Sequence, residues 1–195
     1  MKPTDEQLVE KSLNDNNAFA TLVERYERRL LRYIKRLTGY YNHHAEDILQ
    51  EVFIKIYKNL NNIDTSLSFS SWAYRIAHNE SINHLRSKKR KQTDALETND
   101  PEQFDLIQIL ESDDNVSDAI SQKERAEKVR TIIYALPKKY RDVLILYYLE
   151  DQDYQEISDI LKKPIGTVGT LLSRAKAKFK QRAYDENLIT SIHHE

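Results

Sequence analysis

Arg75, Asn79, Asn83 and Arg86 recur at intervals of four, four and three residues, so a helix brings them onto one face. Guanidinium groups hold phosphate, and asparagine amides donate and accept along base edges; the chemistry this face offers is contact with nucleic acid. The face runs into Lys88, Lys89, Arg90 and Lys91, a basic stretch that also reads as an ordinary solvated helix end. Trp72, with Phe69 and Tyr74 near it in sequence, supplies aromatic surface of the kind that stacks on an unpaired base. Phe69 and Ile76 read as core at helical spacing, whereas Trp72 is open to either use.

A second constellation lies near the carboxyl end. Ile157, Ile160 and Leu161 mark a short amphipathic helix, a turn containing Pro164 follows, and a longer helix places Val168, Leu171, Leu172, Ala175 and Phe179 on its inner face. Its outer face carries Thr167, Thr170, Ser173 and Arg174, then Lys176 and Lys178. This pattern reads as a helix-turn-helix whose first outer residues reach base edges in a major groove while its basic end lies over phosphate. The plain alternative is a helical hairpin packed inside a bundle, which the run of cations after Ser173 disfavours.

A third constellation is Asp47, Gln50, Glu51 and Ile54, again at spacings of three and four. An exposed isoleucine among acids suits docking on a basic protein surface, because apolar area drives association while the acids select the partner. By pattern alone the favoured reading is an ordinary solvated helix face with one stray apolar residue.

Other chemistries lack their residues. His43 and His44 are neighbours that cannot face one site on a helix, His78 and His84 are six apart, and His193 and His194 lie in the expected tail, so no metal is expected. No Ser-His-Asp arrangement or supported carboxylate pair is present, three glycines leave no phosphate-cradling loop, and neither a cofactor nor a catalytic role is expected. The absence of cysteine suits a reducing compartment. No stretch reaches membrane-span length, and the first residues lack the apolar core of a signal peptide, so the chain reads as cytoplasmic and not inserted in a membrane.

The elements that must position these faces are helical. Thr4 with Gln7 forms a capping-box pattern, Phe19 through Leu37 repeat at helical spacing up to Gly39, and a third helix spans about His44 to Leu60 with Ile48, Leu49, Val52, Phe53, Ile56, Tyr57 and Leu60 as its stripe. Residues 61–68 are turn-like, and a fourth helix starts near Phe69. Between Gln92 and Gln122 there is no Lys or Arg, but nine acids from Asp94 to Asp118. That segregation hides within a net charge of −1. The expected fold is all-α: a helical domain over 1–91, an acidic flexible linker over 92–117, a second helical domain over 118–183 containing the helix-turn-helix, and a tail over 184–195.

Taken together, Ala45 to Phe53, then Phe69, Trp72, Arg75-Ile76-Ala77, Asn79 and Leu85-Arg86, then Leu136-Pro137, Arg141, Tyr154, Glu156-Ile157, Gly166-Thr167-Val168 and Arg174-Ala175 resemble the bacterial RNA polymerase sigma factors of the extracytoplasmic-function (ECF) type. The resemblance runs from about Asn17 to Arg182. It implies that Asp47, Gln50, Glu51 and Ile54 meet the clamp helices of the polymerase β′ subunit. It further implies that Trp72, Arg75, Asn79, Asn83, Arg86, Lys88, Lys89 and Arg90, with the loop over 61–68, face the minus-ten element and hold a flipped base. Thr167, Thr170, Ser173, Arg174, Lys176 and Lys178 would then meet the minus-thirty-five element. Core polymerase, through its β′ and β subunits, promoter DNA and an anti-sigma factor are the implied partners.

Three departures qualify it. Lys162 stands where the family commonly has glycine, a strain on the order of 1 kcal/mol if the position is left-handed. Gly169, Thr170 and Leu171 replace a segment usually carrying cations, and Asn83 replaces an acid. Two other readings stay open on sequence grounds: a helix-turn-helix regulator that needs no polymerase, and a sigma-like interaction protein that does not read DNA.

Overall fold

Thr4 starts the first helix. Its hydroxyl accepts from the Gln7 N–H at 3.3 Å and its own N–H donates to Gln7 Oε1 at 3.0 Å, so two otherwise orphaned donors are satisfied at the start of α1 (Asp5–Ser12). Asp15 caps α2 (Asn16–Thr38) by accepting from the Asn17 N–H, and Gly39 ends it at φ 74°, a left-handed conformation open to glycine. Then follow α3 (His43–Lys58), a 3₁₀ turn at Leu60–Asn62, α4 (Phe69–Asp94), α5 (Asp118–Ala135), α6 (Lys138–Leu144) running into a π-turn at Ile145–Leu149, α7 (Tyr154–Leu161) and α8 (Ile165–Asp185). The computed structural model describes residues 2–40, 43–63, 67–94 and 118–186. Every element among them is helical. The acidic segment beyond Asp94, up to 117, and the tail beyond 186 lie outside the described residues. Helix α4 runs three residues into the stretch expected as linker.

By the neighbourhoods of its Cα atoms the chain forms two units. The first holds α1–α4 together with Gln155–Lys163; the second holds α5, α6, the π-turn, Tyr154 and α8. In the first unit α2, α3 and α4 pack on one another and α1 lies along α2. Leu22, Tyr26, Leu30, Tyr33, Ile34 and Leu37 of α2 are almost completely buried against Ile48, Val52 and Ile56 of α3 and Ala73, Tyr74 and Ala77 of α4. Each such aliphatic side chain contributes about 1.5–3 kcal/mol of transfer free energy, which fixes the three helices in register. Several buried polar groups here are matched, although Ser81 Oγ on α4 finds no partner among the described residues. The Tyr33 hydroxyl bonds His78 Nδ1 at 2.8 Å, and Asp5 takes both the Tyr26 hydroxyl and the Arg25 guanidinium. Burial, then the Asp5 bond and its charge, push the Tyr26 phenol well above its ordinary range. One stripe residue departs from expectation. Tyr57 is 48% exposed; its ring stands 5.0 Å from that of Phe19 and its hydroxyl donates to Asn16 Oδ1 at 3.2 Å.

In the second unit α8 packs on α6 and α5 around Ile132, Ile133, Val143, Leu144, Ile145, Leu146, Val168, Leu172 and Ala175. The π-turn turns Ile145 and Leu146 inward in the middle of an unbroken apolar run. Helix α7 closes with Lys162 at φ 50°, where the Lys163 N–H returns to the Ser158 carbonyl at 3.1 Å. That six-residue closure is a Schellman cap with lysine at the left-handed position. Lys162→Gly removes the strain and raises stability by about 0.5–1 kcal/mol, less than the full left-handed penalty because glycine gains freedom in the unfolded chain. Urea unfolding of the two full-length chains measures it.

Candidate polymerase- and promoter-binding surfaces

Helix α3 buries Ile48, Leu49, Val52 and Ile56, so its opposite face is left to solvent. There Asp47, Gln50 and Glu51 are exposed and Ile54 is 52% exposed, four residues on one face as expected. Glu51 is held from the neighbouring helix: Oε2 lies 2.9 Å from His84 Nε2. Asp47 stands 4.0 Å from His44 Nδ1.

Helix α4 is enclosed over most of its first half. Ser71, Trp72, Ala73, Tyr74, Ala77, His78, Glu80, Ser81 and Ile82 are all buried, which leaves a narrow open strip. Asn79, Asn83, Arg86 and Arg90 lie exposed along that strip at helical intervals. Arg75 is half-buried and its Nε donates to the Asp159 carbonyl at 2.7 Å. Lys88 is half-buried with Nζ 5.2 Å from the centre of the Tyr40 ring, and Lys89 follows on the same helix. Tyr74 and Phe69 are core; Ile76, expected as core, is half-buried.

Trp72 has both characters that its sequence left open. It is only 8% exposed, its ring 6.0 Å from that of Phe69, yet its edge lines an open cavity of about 220 Å³. Helix α3 and the turn after it contribute Lys55, Asn59 and Asn62; α4 contributes Trp72, Ile76, Asn79 and Glu80. Lys55, Asn59 and Glu80 are functional candidates that the sequence reading missed. A charged residue on a helix that mixes acids and bases gives no signal of its own, and only the packing of α3 on α4 brings Lys55 Nζ to 2.5 Å from Glu80 Oε2.

On α8 the outer residues Thr167, Thr170, Ser173, Arg174, Lys176 and Lys178 are all exposed. Thr170 donates its hydroxyl to the Gly166 carbonyl at 2.9 Å, and Lys178 Nζ lies 5.9 Å from the centre of the Tyr140 ring. No side chain caps the start of α8; the Thr167 N–H turns back to the Pro164 carbonyl at 2.8 Å, which leaves the N–H groups of Ile165 and Gly166 to an anion. Leu171 is half-buried, so the cation missing at that position is replaced by packing. A Cβ at Gly169 would meet Tyr154 Cε2 at 3.7 Å, an ordinary contact. Gly169→Ala therefore raises stability by about 0.5–1 kcal/mol through helix propensity, read as a higher urea midpoint with unchanged slope.

The family model for Sigma-70 region 2 matches residues 22–91, and that for Sigma-70 region 4 matches residues 126–179. The ECF RNA polymerase sigma factor SigW of Bacillus subtilis (strain 168) is 34% identical over 172 residues, covering 88% of this chain and 91% of that protein. The ECF RNA polymerase sigma-E factor of Escherichia coli (strain K12) is 32% identical over 178 residues, covering 89% and 91%. Among solved structures, CnrH in complex with the cytosolic domain of CnrY superposes with a TM-score of 0.67 at 18% identity, over 94% of this chain and 99% of that one, a likeness of fold. The α3–α4 surfaces fall inside the first match and α7 with α8 as far as residue 179 inside the second, and the chain belongs to the ECF RNA polymerase sigma factors.

Proposed function

We propose that this chain is a dissociable specificity subunit that holds core RNA polymerase through the exposed face of α3 and directs it to promoters through α4 and α8. Asp47, Gln50, Glu51 and Ile54 dock on the β′ clamp helices, with further contact to the β subunit. Asn79, Asn83, Arg86 and Arg90 lie along the minus-ten element, joined by Arg75, Lys88 and Lys89. The cavity beneath Asn79 receives one base flipped from the non-template strand, with Trp72 as an edge for its ring. Thr167, Thr170, Ser173, Arg174, Lys176 and Lys178 meet the minus-thirty-five element, base edges first and phosphates after.

Strand opening is then driven by binding. Extruding a base costs a few kcal/mol, which ring contacts and base-edge hydrogen bonds offset. The chain performs no catalysis itself and works in the cytoplasm. Among its described residues no helix is long and apolar enough to cross a membrane. The acidic segment over 92–117 threads toward the active-site cleft of the polymerase, and an anti-sigma factor competes for the same surfaces.

The observation that carries the reading is the exposed Asn79–Asn83–Arg86–Arg90 strip beside a cavity that Asn79 itself lines. Run-off transcription tests it: core polymerase plus this chain yields discrete transcripts from a promoter of its own genome, and core alone does not. If no start site is used by any bacterial core enzyme in its presence, the reading fails.

A further inference from the structure

The lining of the α3–α4 cavity includes a buried acid with no evident structural need to be one. Glu80 lies on α4 with its side chain 9% exposed, and it lines the cavity beside Asn79. Its Oε2 accepts from Lys55 Nζ of α3 at 2.5 Å, while Oε1 has no partner among the described residues. Lys55 is itself 48% exposed and lines the same cavity. Burying a carboxylate is costly, and pairing with a half-exposed ammonium returns only part of that cost. An apolar residue would seal the α3–α4 seam as well. What a buried carboxylate adds is acceptor chemistry on the wall of a cavity large enough for one flat ring.

Building on the reading of this cavity as the receiver of a flipped base, we infer that Glu80 makes it selective for a base bearing an exocyclic amine. A flipped base presents its Watson–Crick edge to the pocket. Cytosine, adenine and guanine each offer an N–H₂ group on that edge, which an ionised carboxylate accepts. Thymine has no amine and directs two carbonyl oxygens, either side of a single N–H, at an acceptor-only group. With thymine in place a carbonyl oxygen stands against Oε1 where an amine would donate; Oε2 stays with Lys55 and the single N–H is the one donor left to the base edge, so the lost amine bond and the oxygen–oxygen repulsion are where discrimination comes from. Lys55, pulled against Oε2, fixes the carboxylate's orientation and stands as a donor for the base's neighbouring acceptor.

The test uses holoenzyme reconstituted from the full chain and core polymerase, with fluorescent single-stranded oligonucleotides spanning the non-template minus-ten segment of a promoter mapped by its start site. Each amine-bearing base is replaced in turn by its deaminated counterpart: uracil for cytosine, hypoxanthine for adenine, xanthine for guanine. With the wild-type chain, deamination at one position weakens binding about tenfold. With Glu80→Gln, whose amide donates to the new carbonyl, the penalty at that position falls below about twofold and the others are unchanged. The double variant Lys55→Gln/Glu80→Gln removes both charges together, leaves no lone buried ion to unfold the seam, and shows the same loss of discrimination; its melting temperature verifies folding. If Glu80→Gln and the double variant keep the wild-type penalty at every position, the assignment to Glu80 is overturned while the base pocket stands. If wild-type holoenzyme binds none of the oligonucleotides, the base pocket and this inference fall together.

Discussion

Glu51→Arg lowers retention of core RNA polymerase by this chain at least about a hundredfold, with the fold left intact. Glu51 sits mid-face on α3 between Asp47 and Ile54, with half its side chain in solvent. Removing one partner of a close interfacial charge pair costs 2–5 kcal/mol, and reversing its sign adds repulsion against a basic partner. The fold does not depend on it. The helix is anchored from the other side by Ile48, Leu49, Val52 and Ile56, and the Glu51 carboxylate meets His84 only across the half-exposed rim. Glu51→Gln, which keeps the shape and the acceptor oxygen, weakens retention about tenfold. Affinity co-purification from lysate measures both, with circular dichroism melting as the check on folding. A Glu51→Arg chain that still carries core polymerase at wild-type yield removes α3 as the docking face.

The helices were legible because each carries its own punctuation. Thr4 with Gln7 and Gly39 after Thr38 are local signals whose geometry needs no partner, and both act as read. Exposed sites were legible for a related reason: Asn79, Asn83 and Arg86 share a face whatever packs behind them. What failed depends on packing. Tyr57 continues the apolar stripe of α3 by spacing, but it lies at the edge of that stripe, where a phenol keeps its ring on Phe19 and its hydroxyl in solvent reach. The π-turn at Ile145–Leu149 sits in a continuous apolar run, which has no period from which a slip in register can be seen.

The cavity shows the same limit more sharply. Lys55 and Glu80 are 25 positions apart, and each alone reads as solvated surface. Their juxtaposition is a property of the α3–α4 crossing, which sequence spacing does not encode. Trp72 was legible as a choice between core and stacking surface, and the helix pair buries it to 8% exposure while leaving it among the residues that line the cavity. Lys162 is the converse case, where a left-handed position was anticipated from a missing glycine and is found at φ 50°.

Asn79→Ala separates promoter melting from promoter binding. The residue is exposed, so its truncation buries nothing and empties no core; stability changes by less than about 0.5 kcal/mol. It is nonetheless one of the polar residues that line the cavity, with Trp72 and Glu80 of the same helix. A well-placed base-edge contact is worth about 1–3 kcal/mol, which sets the expected loss at about 10- to 100-fold in open-complex formation on duplex templates. Initial duplex binding by the holoenzyme, which depends on α8 and on phosphate contacts, changes little. A template with a pre-melted minus-ten segment supplies the unpairing energy in advance, so most of the activity returns on it, because only the capture of an already free base is left for Asn79 to assist. Permanganate footprinting and abortive transcription on the two templates give the comparison. Equal losses on duplex and bubble templates would place Asn79 outside strand capture and leave the α4 strip as a surface for phosphate alone.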